Sequence, residues 1–221
     1  MESLPLFPLG GVLLPGARMP LQLFEPRYLE LAQHLAGEPE DQRRFGIVRI
    51  RHGHEVGEGA ATDLQEIGCE ARVDAMALAR GDAGTVVHLV ARGARRFRLE
   101  SLDAAAGTAF ITGAVTWLDE PAVDDDPEVA RLVQRVLTAH ATYLRTLGAT
   151  ADPVEAGPRD VAYRVAERMV LEPTDRQRVL DGADAATRLR TVLSLLGRET
   201  AIVDRFAALP TPPDLGGASL N

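Results

Sequence analysis

The chain has 221 residues, of which 46% are hydrophobic and 25% charged, the proportions of a globular protein with a core, and its net charge is -8. Acids outnumber the scattered basic residues, which argues against a phosphate-gripping face for duplex nucleic acid and against an anionic membrane as partner. All 24 basic residues are arginine; without lysine the chain has no ammonium for a phosphate-loop ATPase, no titratable amine for a serine–lysine peptidase and no Schiff-base nucleophile.

From the amino terminus, Leu4 to Phe7 and Val12 to Leu14 are apolar runs broken by Pro8, Gly10, Gly11 and Pro15, the punctuation of short strands. PLQLF follows, then EPRYLELAQHLAG. Pro26 suits a first helical position, and Gly37 suits a left-handed stop. Between them Tyr28, Leu31, Ala32 and Leu35 recur at helical spacing. Phe45 to Arg51 alternates as a strand, and Arg51 to Thr62 is polar and glycine-rich. Leu64 to Ala79 and Gly84 to Gly93 read as two β segments joined by a hairpin turn over Gly81 to Gly84. Phe97 to Leu102 and Thr108 to Leu118 follow, separated by a small-residue turn at Asp103 to Gly107. Strands in this number with close turns predict a small, strongly coiled antiparallel barrel or paired sheets.

At Asp119 the composition shifts. DEPAVDDDPE reads as an acidic linker ending in a helix start, with Asp126 as cap and Pro127 in the first turn. Val129, Leu132, Val133, Val136, Leu137, His140, Leu144 and Leu147 then mark one face of a long helix stopped by Gly148. Asp160 to Leu171 carries helical spacing through Val161, Val165 and Met169. Thr174 to Gln177 matches a capping box before a short helix that ends near Gly182. Asp184 to Gly197 predicts the last helix, with Leu189, Val192, Leu193 and Leu196 on one stripe and room to continue through Phe206. The expected organisation is α+β: a β-rich unit over 1–120, a helical unit over 121–207 and a flexible Pro/Gly-rich tail over 208–221.

Individual residues offer little chemistry. Cys69 is the only cysteine, so no internal disulfide or cysteine zinc cluster forms, which suits a reducing cytoplasm. The start, MESLPLFPLGG, does not read as a signal peptide, and no run approaches the roughly 20 apolar residues of a membrane span. His52 and His54, with Glu55 beside them, can set two imidazoles on one side, but no further ligand is in reach by sequence, so a solvated loop outweighs a metal site. His88 and His140 read as core or boundary histidines and Cys69 as a small buried hydrophobe. Glu38, Glu40 and Asp41 read as solvated, and none of the four serines sits in a nucleophile elbow. No catalytic residue, cofactor or metal site is expected.

The opening resembles the amino-terminal substrate-binding domain family of Lon proteases. The resemblance rests on Leu4-Pro5-Leu6-Phe7-Pro8, Leu14-Pro15-Gly16, Pro20-Leu21 and Phe24-Glu25-Pro26-Arg27-Tyr28. It continues through Leu64 to Met76, the glycine hairpin with Gly93 and Arg96 behind it, and Leu171, Asp175, Gln177, Val179 and Leu180, and so covers about 1–207. It implies a coiled antiparallel β pseudo-barrel followed by an α-helical bundle. It also implies a stand-alone, non-enzymatic module for unfolded or extended polypeptide segments, without the ATPase and peptidase parts. Residues 24–28 read either as a recognition surface, with Phe24 and Tyr28 as anchors and Arg27 for carbonyls or carboxylates, or as structure, with Phe24 in the core and Glu25 or Arg27 tying strands. The candidate peptide-binding residues are Met19, Leu21, Phe24, Glu25, Arg27 and Tyr28, facing Arg92, Arg95 and Arg96. The same surface could pair two copies as a homodimer, or dock a protease or chaperone as an adaptor. A small-ligand or hydrolytic protein with a pocket between the two units is the alternative, and would show convergent polar groups such as a histidine against a carboxylate.

Overall fold

The structure, a computed structural model, describes residues 1–52, 63–81, 84–103, 106–123, 125–150 and 152–207. Seven strands come first: β1 (Glu2–Leu9), β2 (Arg18–Leu23), β3 (Arg44–His52), β4 (Asp63–Leu64), β5 (Ile67–Gly81), β6 (Gly84–Leu102) and β7 (Thr112–Trp117). Helix α1 (Pro26–Gly37) follows β2. Helices α2 (Pro127–Thr146), α3 (Val161–Glu167), α4 (Pro173–Asp181) and α5 (Ala185–Ala207) complete the chain.

Strand order β1-β7-β6-β5-β3-β4, with β1 also pairing β3, curls the sheet into a ring. Every pairing in the ring is antiparallel except the β1–β3 closure, which is parallel. Register shifts at Cys69/Ala71 and Val73/Ala75 in β5, and at Leu99/Ser101 in β6, supply the extra twist such a small ring needs. Leu4, Leu6, Val48, Phe97 and Val115 form the cluster inside it. The Phe97 ring fills the space beside Gly46 and Gly68, where an added Cβ would lie 2.7 and 2.4 Å from the ring. The larger core joins the other sheet faces to the helices. It runs from Phe7, Leu14, Leu23 and Leu89 to Val136, Tyr143 and Val165, and on to Leu189, Val192 and Leu196 in the apolar stripe of α5.

Local rules place several elements as expected. Pro26 opens α1, and Tyr28, Leu31, Ala32 and Leu35 are its buried face. The Asp126 carboxylate accepts from the Glu128 and Val129 amides at the start of α2, and Gly148, at φ 65°, stops that helix. Other expectations are corrected. Val12 to Leu14 is buried but not a strand: the segment is held across β6 by Gly16 N–H donating to the Gly93 carbonyl, outside any ladder. Gly84 to Gly93 and Phe97 to Leu102 are one strand, because β5 stays paired with β6 through Gly93 and Arg96. The last strand is only Thr112–Trp117. Gly37 stays helical, without a positive φ. The capping box at Thr174 does not form: Pro173 starts α4 one residue earlier with Glu172 as N-cap, and the Gln177 amide donates instead to the Ile67 carbonyl and Asp181. Helix α5 runs on to Ala207. The hairpin residues 82–83, the 53–62 segment carrying His54 and Glu55, and the 208–221 tail lie outside the described residues.

His140 is buried on α2, and its Nε2 has no hydrogen-bond partner among the described residues. Burial, and secondarily the Arg168 guanidinium, hold its pKa below the ordinary histidine value. The unfolded chain therefore binds this proton more readily than the folded one, and stability falls as pH drops through the ordinary histidine range toward the lowered value. Denaturation midpoints measured between about pH 7.5 and 5 are expected to fall in the native chain and to fall less in His140→Leu. Equal slopes in the two would show that His140 does not contribute.

Candidate functional site

Strand β6 continues past the ring as the middle of a three-stranded ribbon, between β2 and the outer part of β5. The rows Pro20–Val90–Ala75 and Gln22–His88–Ala77 run across it, and successive rows face opposite sides. The inward rows carry the buried Leu21 and Leu89. The outward rows line a shallow concavity of about 610 Å³ floored by Ala75, Ala77 and Val90 and bordered by Pro20, Gln22 and His88. His88 is thus exposed rather than in the core, because its row faces outward.

Phe24 stands at the end of β2 with 56% of its surface exposed, which corrects the reading of Phe24 as core. Next to it the sequence folds on itself. Glu25 and Arg27 form an ion pair at 2.9 Å, and the Arg27 guanidinium lies 4.6 Å from the Tyr28 ring centre. Tyr28 is buried against Phe7, with ring centres 4.2 Å apart. Met19 is half-buried on β2. Leu21, Tyr28 and Arg96 are therefore corrected as surface contacts: all three are buried.

The arginines diverge. Arg92 donates twice to Asp74, at 3.0 and 2.8 Å, and Arg18 reaches the same carboxylate at 3.0 Å. These hydrogen bonds, led by Arg92, hold the Asp74 pKa below the usual carboxylate value. Arg95 lies over the Trp117 ring at 4.0 Å and donates to the buried Glu70 at 3.1 Å. Arg98 pairs with Glu66, so residues 92–98 form no uncompensated basic patch. Met19, Phe24 and Arg92 share the ribbon; Arg95 stands beside Trp117.

Arg96, 2% exposed, points inward. It donates to Glu120 at 2.6 Å and to the carbonyls of Leu180 and Gly182 at 2.8 and 2.7 Å. Arg188, fully buried, donates to the other Glu120 oxygen at 2.6 Å and to the Gly182 carbonyl at 3.1 Å. The Tyr163 hydroxyl donates to Glu120 at 3.3 Å, and burial pushes its pKa up. One carboxylate thus joins two buried cations and ties β6 to the helices. Nothing in the sequence marks Glu120, which sits in an acidic run that reads as solvated linker. A cleft of about 360 Å³ borders this group, lined also by Arg159 and Asp160. Its central charges are satisfied by each other, and no histidine lines it. Cys69 is fully buried, and burial raises its thiol pKa.

Among the described residues no helix is long and apolar enough to cross a membrane. Residues 3–198 match the family described as the ATP-dependent protease La (LON) substrate-binding domain. The chain is 26% identical over 207 residues to a Lon protease of Anaeromyxobacter dehalogenans, a match covering 90% of this chain and 24% of that protein. It thus spans about a quarter of that relative's length. Among solved structures it is similar to a Lon N-terminal domain protein from Xanthomonas campestris, at 31% identity and TM-score 0.60 over 88% of this chain and 98% of that one. The N-terminal domain of a Mycobacterium avium complex Lon protease shares the fold, at 17% identity and TM-score 0.61 over 89% of this chain and 98% of that one. With the ring of strands and the helices behind it, these matches show that the chain belongs to the Lon substrate-binding domain family.

Proposed function

We propose that this chain binds unfolded or extended polypeptide segments and itself hydrolyses neither ATP nor peptide bonds. The observation that carries the reading is apolar surface left open on and next to the ribbon: an alanine-floored concavity on its outward face, and Phe24 exposed just past the end of β2. An apolar surface of this kind marks a place that a partner covers. Family membership supports polypeptide as that partner, and the absence of lysine removes the amine chemistry of ATPase and serine–lysine peptidase sites.

The test is fluorescence anisotropy with a labelled, permanently unfolded protein. Binding is expected, and Phe24→Ala is expected to weaken it by about tenfold, the effect of losing an aromatic anchor. Because Phe24 is mostly exposed, its loss should leave the unfolding midpoint nearly unchanged. No binding by the native chain, or ATP or casein turnover by the pure chain, would overturn the proposal.

A further inference from the structure

The ribbon has two edges, and the register shows which is open. Gly93 N–H donates to the Ala17 carbonyl, so Arg18–Arg92 is a wide pair, and alternation makes Met19–Ala91, Leu21–Leu89 and Leu23–Val87 the bonded pairs. Arg18, Pro20 and Gln22 therefore turn their backbone groups to the outer edge of β2. There Pro20, which has no N–H, interrupts the row of donors.

On β6, Val87 and Leu89 spend their backbone groups on β2, so Val86, His88 and Val90 bond to Ala79, Ala77 and Ala75 of β5. Met76, Leu78 and Arg80 then turn both N–H and C=O outward, with no proline among them. Strand β3 covers β5 only as far as Arg72, opposite Arg44; Val73 N–H still reaches the Arg43 carbonyl, and the chain before it turns away at Glu40–Gln42. Among the described residues no strand pairs with this outer edge of Met76–Arg80. Leu78 on this edge is 60% exposed.

We propose that the Met76–Arg80 edge of β5 takes an extended apolar segment with acidic flanks as an added antiparallel strand, continuing the line of β3. The proposal rests on the polypeptide-binding reading above and names its site. Exposed Leu78 and the alanine row opposite give an incoming strand apolar surface on both of its faces. Charge selects the occupant. In a chain of net charge -8, the ribbon carries Arg18, Arg80 and Arg92 against Asp74, Arg72 being paired with Glu70, and one positive charge stays in excess when Asp82, two residues after Arg80 in the sequence, is counted. A second copy paired edge to edge would bring like charge to like charge, whereas carboxylates beside the apolar run complement it.

The probe is a fluorescein-labelled peptide of about eight residues, alternating valine and threonine, with aspartates or lysines at its ends. The aspartate-flanked peptide is expected to bind more tightly; equal or tighter binding of the lysine-flanked one overturns the charge selection. Amide exchange is expected to slow at Met76, Leu78 and Arg80 on binding, and not at Arg18 or Gln22. Leu78→Pro, which removes an outward donor without touching a β6 bond, and Arg80→Glu are each expected to weaken binding by about tenfold or more, with Glu128→Ala, at the surface of α2, neutral. If Leu78→Pro does not fold, Arg80→Glu and the exchange pattern decide. Undiminished binding of unfolded protein by both variants, or protection on the β2 edge, overturns the site and leaves polypeptide binding standing. No polypeptide binding at all overturns both.

Discussion

Glu120→Ala is expected to lower the unfolding free energy by about 3–5 kcal/mol, the cost of leaving buried charge without its counter-ion. Arg96 and Arg188 both depend on this carboxylate, at 2.6 Å each, and neither can retreat to water. The carbonyls of Leu180 and Gly182 satisfy some of their donors but do not neutralise their charge. Glu120→Gln keeps one acceptor and loses the charge, so it should fall between alanine and the native chain. Glu128→Ala is the control: Glu128 pairs with Arg190 at the surface, where a pair is worth about 0–1 kcal/mol. Chemical denaturation of the three variants checks the ranking. If Glu120→Ala cost no more than Glu128→Ala, the buried ion group would not hold the helices to β6.

Gly93→Ala is expected to cost about 3 kcal/mol or more, at or above the top of the usual range for an overpacked side chain. An added Cβ would sit 2.1 Å from the Leu14 carbonyl oxygen and 2.9 Å from its carbon. Backbone cannot rotate aside as a side chain can. The strain would also pull on both bonds that Gly93 makes, from its N–H to Ala17 and from Gly16 to its carbonyl. Urea midpoints with an unchanged slope would report the loss. A cost below about 1 kcal/mol would mean that the Val12–Ala17 segment moves freely off β6. Gly93 and Arg96 thus serve different ends on one strand: the first admits a neighbouring backbone, the second reaches across to the helices.

The α+β plan is legible because its signals are local. The spacing of Tyr28, Leu31, Ala32 and Leu35 and the Asp126-Pro127 start act within one helical turn. Sequence reasoning fails where a distant partner intervenes. Val12 to Leu14 has the composition of a strand, but no ladder partner lies beside it among the described residues. Gln177 has the spacing of a capping residue, but it donates to Ile67 on β5. The apolar stripe expected on α2 runs through Leu144 and Leu147 and passes over Tyr143, yet it is Tyr143 that is buried and Leu147 that is exposed. Of the candidate site, Phe24 and Arg92 lie exposed on the ribbon, while Leu21, Tyr28 and Arg96 are buried. Sequence alone does not separate the two faces of a ribbon that projects beyond its core.

By itself the sequence determined the kinds of element, their order and the family resemblance, since each depends on residues that are neighbours along the chain. Tertiary structure alone decided that Arg96 and Arg188 would share Glu120, that Leu14 would press on Gly93, and that β5 would outrun β3 to leave an edge. Those outcomes depend on which distant backbones the closed ring brings within hydrogen-bonding reach, and that distance is set by topology, not by spacing along the chain.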